Sequence, residues 1–200
     1  MQLFTNPNSP FARKVRVSAL ELGLAGRIES LDVTSSPVDP HSGLRERNPL
    51  GKIPALITDD GETLYDSPVI CEYLDALCGG GRLFPANGPA RWSALRRQAL
   101  ADGIADAAVL VRYETAARPV PLQWREWLDG QWLKIRTALD ALERDTLDGP
   151  FDIGAISIAC AIGYLDLRFP QEPWRQNRPR LSRWLGALAE RASVAATRPG

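Results

Sequence analysis

The first eighty residues carry their apolar positions in short runs that polar or glycine-containing turns separate. The runs at 1–4 and 28–32 predict two strands. A hairpin is predicted farther along, because the segments 55–58 and 63–65 flank the turn sequence Asp59-Asp60-Gly61-Glu62. These patterns indicate a small mixed sheet.

Two helices are predicted among these strands. Ser9 precedes Pro10, the order expected of a helix N-cap followed by proline at the first helical position, and Gly23 suits the end of that helix. Ser67-Pro68 opens the second helix. The stretch 34–42, which holds two prolines and several serines, predicts a surface loop. The order β-α-β, loop, β-β-α does not repeat as a regular βα series, which argues against a barrel or a large doubly wound sheet.

The chain changes character near Gly79. Residues 80–90 are rich in glycine and proline and predict a linker. Beyond them the apolar residues recur at helical spacing only. We therefore expect an α/β domain over 1–79 and an all-helical domain over 91–200. The helices predicted for the second domain span 91–113, 122–147, 153–169 and 179–191.

The sequence indicates where the third of these helices begins. Asp152 is a suitable N-cap, and Phe151 and Ile156 stand at the two positions of a hydrophobic staple. Apolar residues surround much of the helix before Asp166, which is typical of a buried helix. We expect it to form the core of the second domain.

Composition excludes several classes of function. The 200 residues include 24 basic and 24 acidic side chains, so no positive excess favours nucleic acid or an acidic membrane surface. No apolar run is long enough to span a bilayer and the N-terminus does not fit a secretory signal, so a soluble, cytoplasmic protein is expected. The single histidine, His41, makes a zinc site unexpected. Cys71, Cys78 and Cys160 form no C-x-x-C pair, which fits a reducing compartment, and Cys71 and Cys160 lie on apolar helix faces as expected of packing residues.

Three short segments carry the candidate chemistry. They are Asn8-Ser9-Pro10-Phe11, Asn48-Pro49-Leu50-Gly51-Lys52-Ile53-Pro54 and Asp66-Ser67-Pro68. In this order, within the β-α-β, β-β-α pattern, the chain resembles the cytosolic glutathione transferase superfamily, and its serine-type bacterial members most of all. The resemblance covers essentially the whole chain. It implies a thioredoxin-like first domain, an all-helical second domain, and glutathione as co-substrate without a metal.

The sequence departs from its relatives at two places. Where glutaredoxin-like relatives carry a cysteine pair, this chain has Asn8-Ser9-Pro10-Phe11, which excludes dithiol redox chemistry at this motif. Before the core helix the family usually has Ser or Thr, with Asp three residues later. Here Asp152 and Ala155 occupy these positions, so the cap is kept and the return hydrogen bond is lost.

The resemblance implies roles for several residues around glutathione. Ile53 precedes Pro54, the family's cis-proline position, and a cis bond would turn the Ile53 main chain toward the cysteinyl backbone of glutathione; the alternative is an ordinary trans turn. Ser67 would bind the γ-glutamyl carboxylate at a helix N-terminus, with Asp66 near the amine. The alternative is a plain N-cap, and both can hold. Lys52 would reach the glycine carboxylate, or else is a solvated surface lysine.

Ser9 is the predicted catalytic residue. Its hydroxyl would donate a hydrogen bond to the glutathione sulfur and favour the thiolate, which is the nucleophile. The alternative is that Ser9 only caps its helix, accepting from the N–H of Phe11 or Ala12. Asp102, on the first helix of the second domain, would approach the glutathione amine across a homodimer interface, or else is a solvent-facing acid.

The acceptor pocket is expected between the loop Asn6-Pro7-Asn8, with Phe11, and the helix that holds Arg112 and Tyr113. Trp174 is a candidate to close this pocket, although aromatic residues in helical domains usually belong to the core. The resemblance implies an enzyme that activates the glutathione thiol for attack on an electrophile or a peroxide. The alternative is a glutathione-binding or interaction module without turnover, because fold does not imply function.

Overall fold

The computed structural model describes all 200 residues and contains one four-stranded sheet in the order β2-β1-β3-β4. Strand β1 runs parallel to β2 and antiparallel to β3, and β3 and β4 form the antiparallel hairpin that the sequence predicts. Leu3 lies at the centre of the sheet, paired with Ser30 on one side and Leu56 on the other. The strands are β1 (Gln2–Thr5), β2 (Glu29–Asp32), β3 (Ala55–Ile57) and β4 (Thr63–Leu64).

Three α-helices accompany the sheet, and one of them was not predicted. They are α1 (Pro10–Glu21), α2 (Ser42–Arg47) and α3 (Ser67–Leu77), and a single 3-10 turn covers Ala25–Arg27. Helix α2 follows the predicted surface loop and buries one side chain, Leu44. His41 caps it, because its Nδ1 accepts from the Leu44 N–H at 3.1 Å. The histidine therefore has a structural role.

The rest of the chain is helical, as predicted, with shifted boundaries. The helices are α4 (Gly88–Ala116), α5 (Arg125–Arg144), α6 (Ile153–Arg168), α7 (Pro179–Leu188) and α8 (Ala192–Ala195), with a 3-10 turn at Val120–Leu122. Helix α4 extends beyond both predicted ends, and α8 is a short separate helix. The thioredoxin-like sheet with its helices followed by a helical part confirms the predicted fold class. None of the helices has the length and apolarity that crossing a membrane requires.

Helix α6 is the shared core of the molecule. Asp152 caps it through a 3.0 Å bond from the Ala155 N–H to Oδ1, as predicted. Ile153, Ile156 and Cys160 join the apolar cluster that includes the sheet and α1, whereas Ile158, Ile162 and Leu165 join the cluster between α4 and α5. At Gly154 a Cβ atom would lie 2.8 Å from the Ala94 carbonyl oxygen of α4. The absence of a side chain there lets α4 and α6 approach closely.

Asp75, which sequence reasoning did not select, organises the linker between the sheet and the helices. Its carboxylate accepts hydrogen bonds from four consecutive backbone N–H groups, at 3.0 to 3.2 Å, from Gly81 to Phe84. The Leu83 carbonyl then accepts from the Ile153 N–H at 2.9 Å, at the start of α6. A buried carboxylate at the end of α3 thus fixes the path of the chain toward the core helix.

A second carboxylate ties α4 to the end of α5. Asp145 accepts from Arg97 Nε and from Arg96 Nη2, each at 3.0 Å. The hydrogen bond from Arg97, with help from Arg96, lowers the pKa of Asp145 to about 2. This pair contributes to stability at neutral pH.

Candidate active site

Ser9 caps helix α1 with its hydroxyl oxygen, and its hydroxyl proton remains free to donate a hydrogen bond. Its backbone is extended and Pro10 follows at the first helical position. Its Oγ accepts from the Ala12 N–H at 3.2 Å, and its carbonyl accepts from the Arg13 N–H at 2.9 Å. The cap is therefore present. Because a hydroxyl can accept and donate at once, the cap leaves the Ser9 proton available to a ligand.

The loop before Ser9 is held by its two asparagines. Asn6 Oδ1 accepts from the Asn8 N–H at 3.0 Å, while Asn6 Nδ2 donates to the Val33 carbonyl at 3.2 Å. The Asn6 carbonyl accepts from the Ser9 N–H at 3.0 Å. Asn8 Oδ1 is buried and has no partner. Asn6 thus serves the loop and positions Ser9, and only Asn8 has a side-chain acceptor to offer.

The segment before β3 is organised by Asn48, a buried residue that the site prediction left out. Its Nδ2 donates to the Lys52 carbonyl at 2.7 Å, and its Oδ1 accepts from the Leu50 N–H at 3.0 Å. The Ile53–Pro54 peptide bond is cis, as predicted. Lys52 is exposed next to it. The signal for Asn48 was its place at the head of the Asn-Pro-Leu-Gly turn, where a side chain can replace backbone partners.

Asp66 and Ser67 open helix α3, and neither side chain serves that helix as a cap. Asp66 stands at the N-cap position but its carboxylate makes no capping hydrogen bond. Ser67 is 1% exposed, and its Oγ has no hydrogen-bond partner. A buried hydroxyl without a partner is unfavourable. The Ser67 hydroxyl and the free N–H groups of the first turn offer an anion side-chain and main-chain donors, whereas the Asp66 carboxylate offers an acceptor to a cation.

Asp102 is not the solvent-facing acid that the alternative reading expected. Both of its carboxylate oxygens accept from Lys14 Nζ at 2.7 Å, and Lys14 is 1% exposed. The pair joins α1 to α4 within one chain. Burial raises the pKa of Asp102, although the ammonium of Lys14 acts in the opposite direction. Lys14 was missed because its partner is 88 residues away in the sequence.

The next turn of α4 brings a further acid toward the glutathione-site candidates. Burial raises the pKa of Asp106. The positive charge of Lys52 lowers this pKa, and the negative charge of Asp66 raises it. Asp106 is therefore within electrostatic reach of both residues. The signal in the sequence was its spacing of four residues from Asp102, which places both on one face of the helix.

The acceptor-pocket candidates fall into two groups. Phe11 packs against the cluster of the helical part. Arg112 and Tyr113 lie near Tyr164. Burial raises the pKa of Tyr164, and Arg168, with a smaller contribution from Arg112, lowers it. Around these residues the acceptor pocket stays a prediction.

Trp174 lies elsewhere in the helical part. It is buried, and its Nε1 donates to Asp166 at 2.7 Å. It lines a cavity of about 340 Å³ whose other walls come from α5, α6 and the segment 172–178. None of the other acceptor-pocket candidates lines that cavity, but Trp174 belongs to the apolar cluster against which Phe11 packs.

The cysteines are packing residues, as expected for two of them. Cys71 and Cys160 are buried in the same apolar cluster. Burial raises the pKa of Cys71 to about 11 and that of Cys160 to about 12. We therefore expect both buried thiols to stay protonated near neutral pH.

Comparison with known proteins gives the same family for both parts of the chain. The family model described as glutathione S-transferase, N-terminal domain, matches residues 8–77. The model described as glutathione S-transferase, C-terminal domain, matches residues 125–187.

Individual relatives match over the full length. A glutathione transferase family member from Pseudomonas fluorescens Pf-5, solved with bound glutathione, is 51% identical; the match covers 100% of this chain and 98% of that chain, with a TM-score of 0.97. A glutathione S-transferase from Methylobacillus flagellatus KT with glutathione bound is 38% identical, over 100% and 99% of the two chains, with a TM-score of 0.88. The Escherichia coli (strain K12) protein YibF, described as an uncharacterized GST-like protein, is 35% identical over 204 residues, 100% of this chain and 98% of its own length.

Proposed function

Since the chain belongs to the glutathione S-transferase family, we propose that it is a glutathione transferase that activates the glutathione thiol for attack on a small electrophile or a peroxide. The observation that carries the proposal is the pair of serine hydroxyls at the starts of α1 and α3. Ser9 accepts one hydrogen bond and keeps its donor, and Ser67 Oγ is buried without any partner. A bound ligand would supply the hydrogen-bond partner that each hydroxyl lacks.

In this proposal glutathione lies across the starts of both helices. Its γ-glutamyl carboxylate accepts from Ser67 Oγ and the first N–H groups of α3, and Asp66 faces its amine. Its cysteinyl backbone pairs with the main chain of Ile53, next to Pro54. Lys52 attracts the glycine carboxylate. The relatives solved with glutathione support this class of ligand.

The chemical step is nucleophilic attack by the thiolate. The Ser9 hydroxyl donates to the glutathione sulfur and stabilises the anion, and the thiol proton leaves to solvent. Ser9 acts only as a donor, because its own hydroxyl is too weak a base to take the proton. With an aryl halide, the sulfur bonds to the ring carbon and halide leaves. With an organic hydroperoxide, the thiolate attacks one peroxide oxygen, the O–O bond breaks and an alcohol leaves. The glutathione sulfenic acid that forms reacts with a second glutathione to give the disulfide and water.

A homodimer belongs to the same proposal. Asp102 of α4 was expected to complete the site of the neighbouring subunit, but its carboxylate is engaged by Lys14 in its own chain. Asp106, one turn later, is the acid of α4 that remains available. Light scattering at micromolar concentration measures the assembly state, and a monomeric mass would count against the dimer.

Two measurements separate this enzyme from a binding module. Calorimetric titration with glutathione tests the ligand, and turnover of an aryl halide and of an organic hydroperoxide tests the chemistry. We expect binding and turnover of at least one acceptor class. Binding without turnover on a broad acceptor panel would favour the module, and absence of binding would reject both. Ser30→Ala, a change at an exposed serine of β2, is the matched control for serine variants of the site.

A further inference from the structure

A second cavity, of about 290 Å³, lies between α1, α6, α7 and the C-terminal residues. None of the glutathione-site candidates lines it. Its polar groups are Arg13, Asp166 and Arg198. The remaining walls are apolar or small and come from Ala159, Gly163, Leu167, Leu185, Ala189, Val194 and Pro199.

Arg13 places a buried guanidinium in this cavity. The residue is 5% exposed. Its Nε donates to Thr197 Oγ1 at 3.3 Å, and its Nη2 donates to the Val194 carbonyl at 3.1 Å. A guanidinium has five N–H donors, so three are left without a protein acceptor. A Cβ atom on Gly163 would lie 2.2 Å from Nη1, which means that the glycine makes the space in which this group sits.

No carboxylate balances this charge. Arg13 forms no salt bridge, and its two acceptors are a neutral hydroxyl and a neutral carbonyl. Burial lowers the pKa of Arg13, Cys160 raises it, and the charges of Arg16 and Arg198 lower it further. Asp166 lines the same cavity, but its oxygens are taken by Trp174 Nε1 and, at 2.7 and 2.8 Å, by Arg175. The cavity is therefore positive at one end, where the Arg13 guanidinium has neutral acceptors but no carboxylate partner.

Holding the C-terminal segment does not explain this arrangement by itself. The contacts to Val194 and Thr197 need two neutral donors, which an uncharged amide side chain can supply without the cost of burying a charge. A second unpaired arginine, Arg198, at the same cavity is likewise unnecessary for that purpose. An anion would satisfy both guanidinium groups at once.

We propose that this cavity binds a small organic carboxylate with an apolar body, at a site separate from that of glutathione. The carboxylate accepts from the free Nη groups of Arg13 and from Arg198. Its apolar body packs against Leu167, Leu185 and the neighbouring small residues. The apolar walls favour such a ligand over inorganic phosphate, which would leave them without a partner.

Benzoate is the probe, with the neutral isostere benzamide as its control. Calorimetric titration and thermal shift are measured with saturating glutathione present. We expect benzoate to bind at one site per chain, and benzamide not to bind. Arg198→Gln, at an exposed residue, weakens benzoate binding about tenfold, the effect of losing one charge-assisted hydrogen bond. Arg13→Gln and Gly163→Ala weaken it further, whereas Arg183→Gln, an equal charge change on the exposed part of α7, leaves it unchanged.

Several results would overturn the proposal. Benzoate that glutathione displaces occupies the glutathione site. Equal affinity in the Arg198→Gln and Arg183→Gln variants would mean that the cavity is not the site. Absence of benzoate binding, or binding of inorganic phosphate alone, would reject the organic carboxylate. Because Arg198 is exposed, its variant keeps the test decisive even where Arg13→Gln lowers the melting temperature.

Discussion

Replacement of Ser9 by alanine is expected to have two separable effects, because the hydroxyl has two roles. The cap from the Ala12 N–H to Oγ is seen in the structure. Its loss should lower the free energy of unfolding by about 1 kcal/mol. The donor role belongs to the proposed complex. A hydrogen bond to a charged partner contributes about 1.5–3 kcal/mol, and the start of α1 adds about 0.3–1 kcal/mol.

These magnitudes predict the ionisation of bound glutathione. At about 1.36 kcal/mol per pKa unit, the two contributions lower the thiol pKa by roughly one to three units from about 8.5. Ser9→Ala removes the larger contribution, so the bound thiol pKa should rise by about one to two units and turnover at neutral pH should fall. The absorbance of the bound thiolate across pH measures the pKa, and thermal unfolding measures the cap.

Two further variants separate the cap from the donor. Ser9→Thr keeps both functions in part. Ser9→Asp keeps a good N-cap but replaces the donor with a negative charge, so it should restore the stability that alanine loses while raising the thiol pKa above the alanine value. The catalytic role of Ser9 is refuted if alanine lowers the melting temperature and leaves both the thiol pKa and turnover unchanged. An aspartate variant with normal turnover would refute it as well.

Three further predictions concern stability. Asp75→Ala should lower the free energy of unfolding in urea by about 3 kcal/mol, because four backbone N–H groups lose their acceptor, and Asp75→Asn should have an intermediate effect. A decrease under about 1 kcal/mol would mean that water replaces the carboxylate. Gly154→Ala should destabilise the protein by about 1–3 kcal/mol, because the new Cβ would clash with the Ala94 carbonyl. Gly130→Ala, where the Cβ would meet open space, should stabilise the protein by about 0.5–1 kcal/mol. Equal effects of the two changes would contradict the close contact between α4 and α6. Asp145 has a lowered pKa, so its contribution is present above the unfolded value and is lost as pH falls from about 4 toward 2. Allowing for solvent screening, Asp145→Asn should remove about 1–2 kcal/mol at pH 7 and almost nothing at pH 2, and a loss equal at both pH values would contradict the ion pair.

Local patterns explain which elements could be predicted. The caps at Ser9 and Asp152 and the turn before β4 involve neighbours within a few residues, so the sequence alone contains both partners. Helix α2 was not predicted, because six residues with one buried side chain, Leu44, show no helical periodicity. The short helix α8 escaped for the same reason.

Two residues that could not be selected from the sequence, Lys14 and Asp75, depend on contacts outside their own helices. From the sequence alone, Lys14 has the pattern of a surface lysine and Asp75 that of an ordinary helix acid. Only the fold shows that Asp102 of α4 binds Lys14 and that the linker N–H groups bind Asp75. Asn48 is different, because its contacts are local and its turn position was visible. The resemblance selected residues that are expected to touch the ligand, whereas these three hold the main chain or a helix in place.

Helix α1 links the candidate active site to the rest of the molecule. Ser9 begins it, the Lys14 ammonium fastens it to α4, and the Arg13 guanidinium fastens it to the C-terminal segment. All three contacts lie within its first two turns. The position of the Ser9 hydroxyl therefore depends on both helical contacts as well as on the sheet. A change at Asp102 that frees Lys14 should thus alter turnover through the orientation of α1.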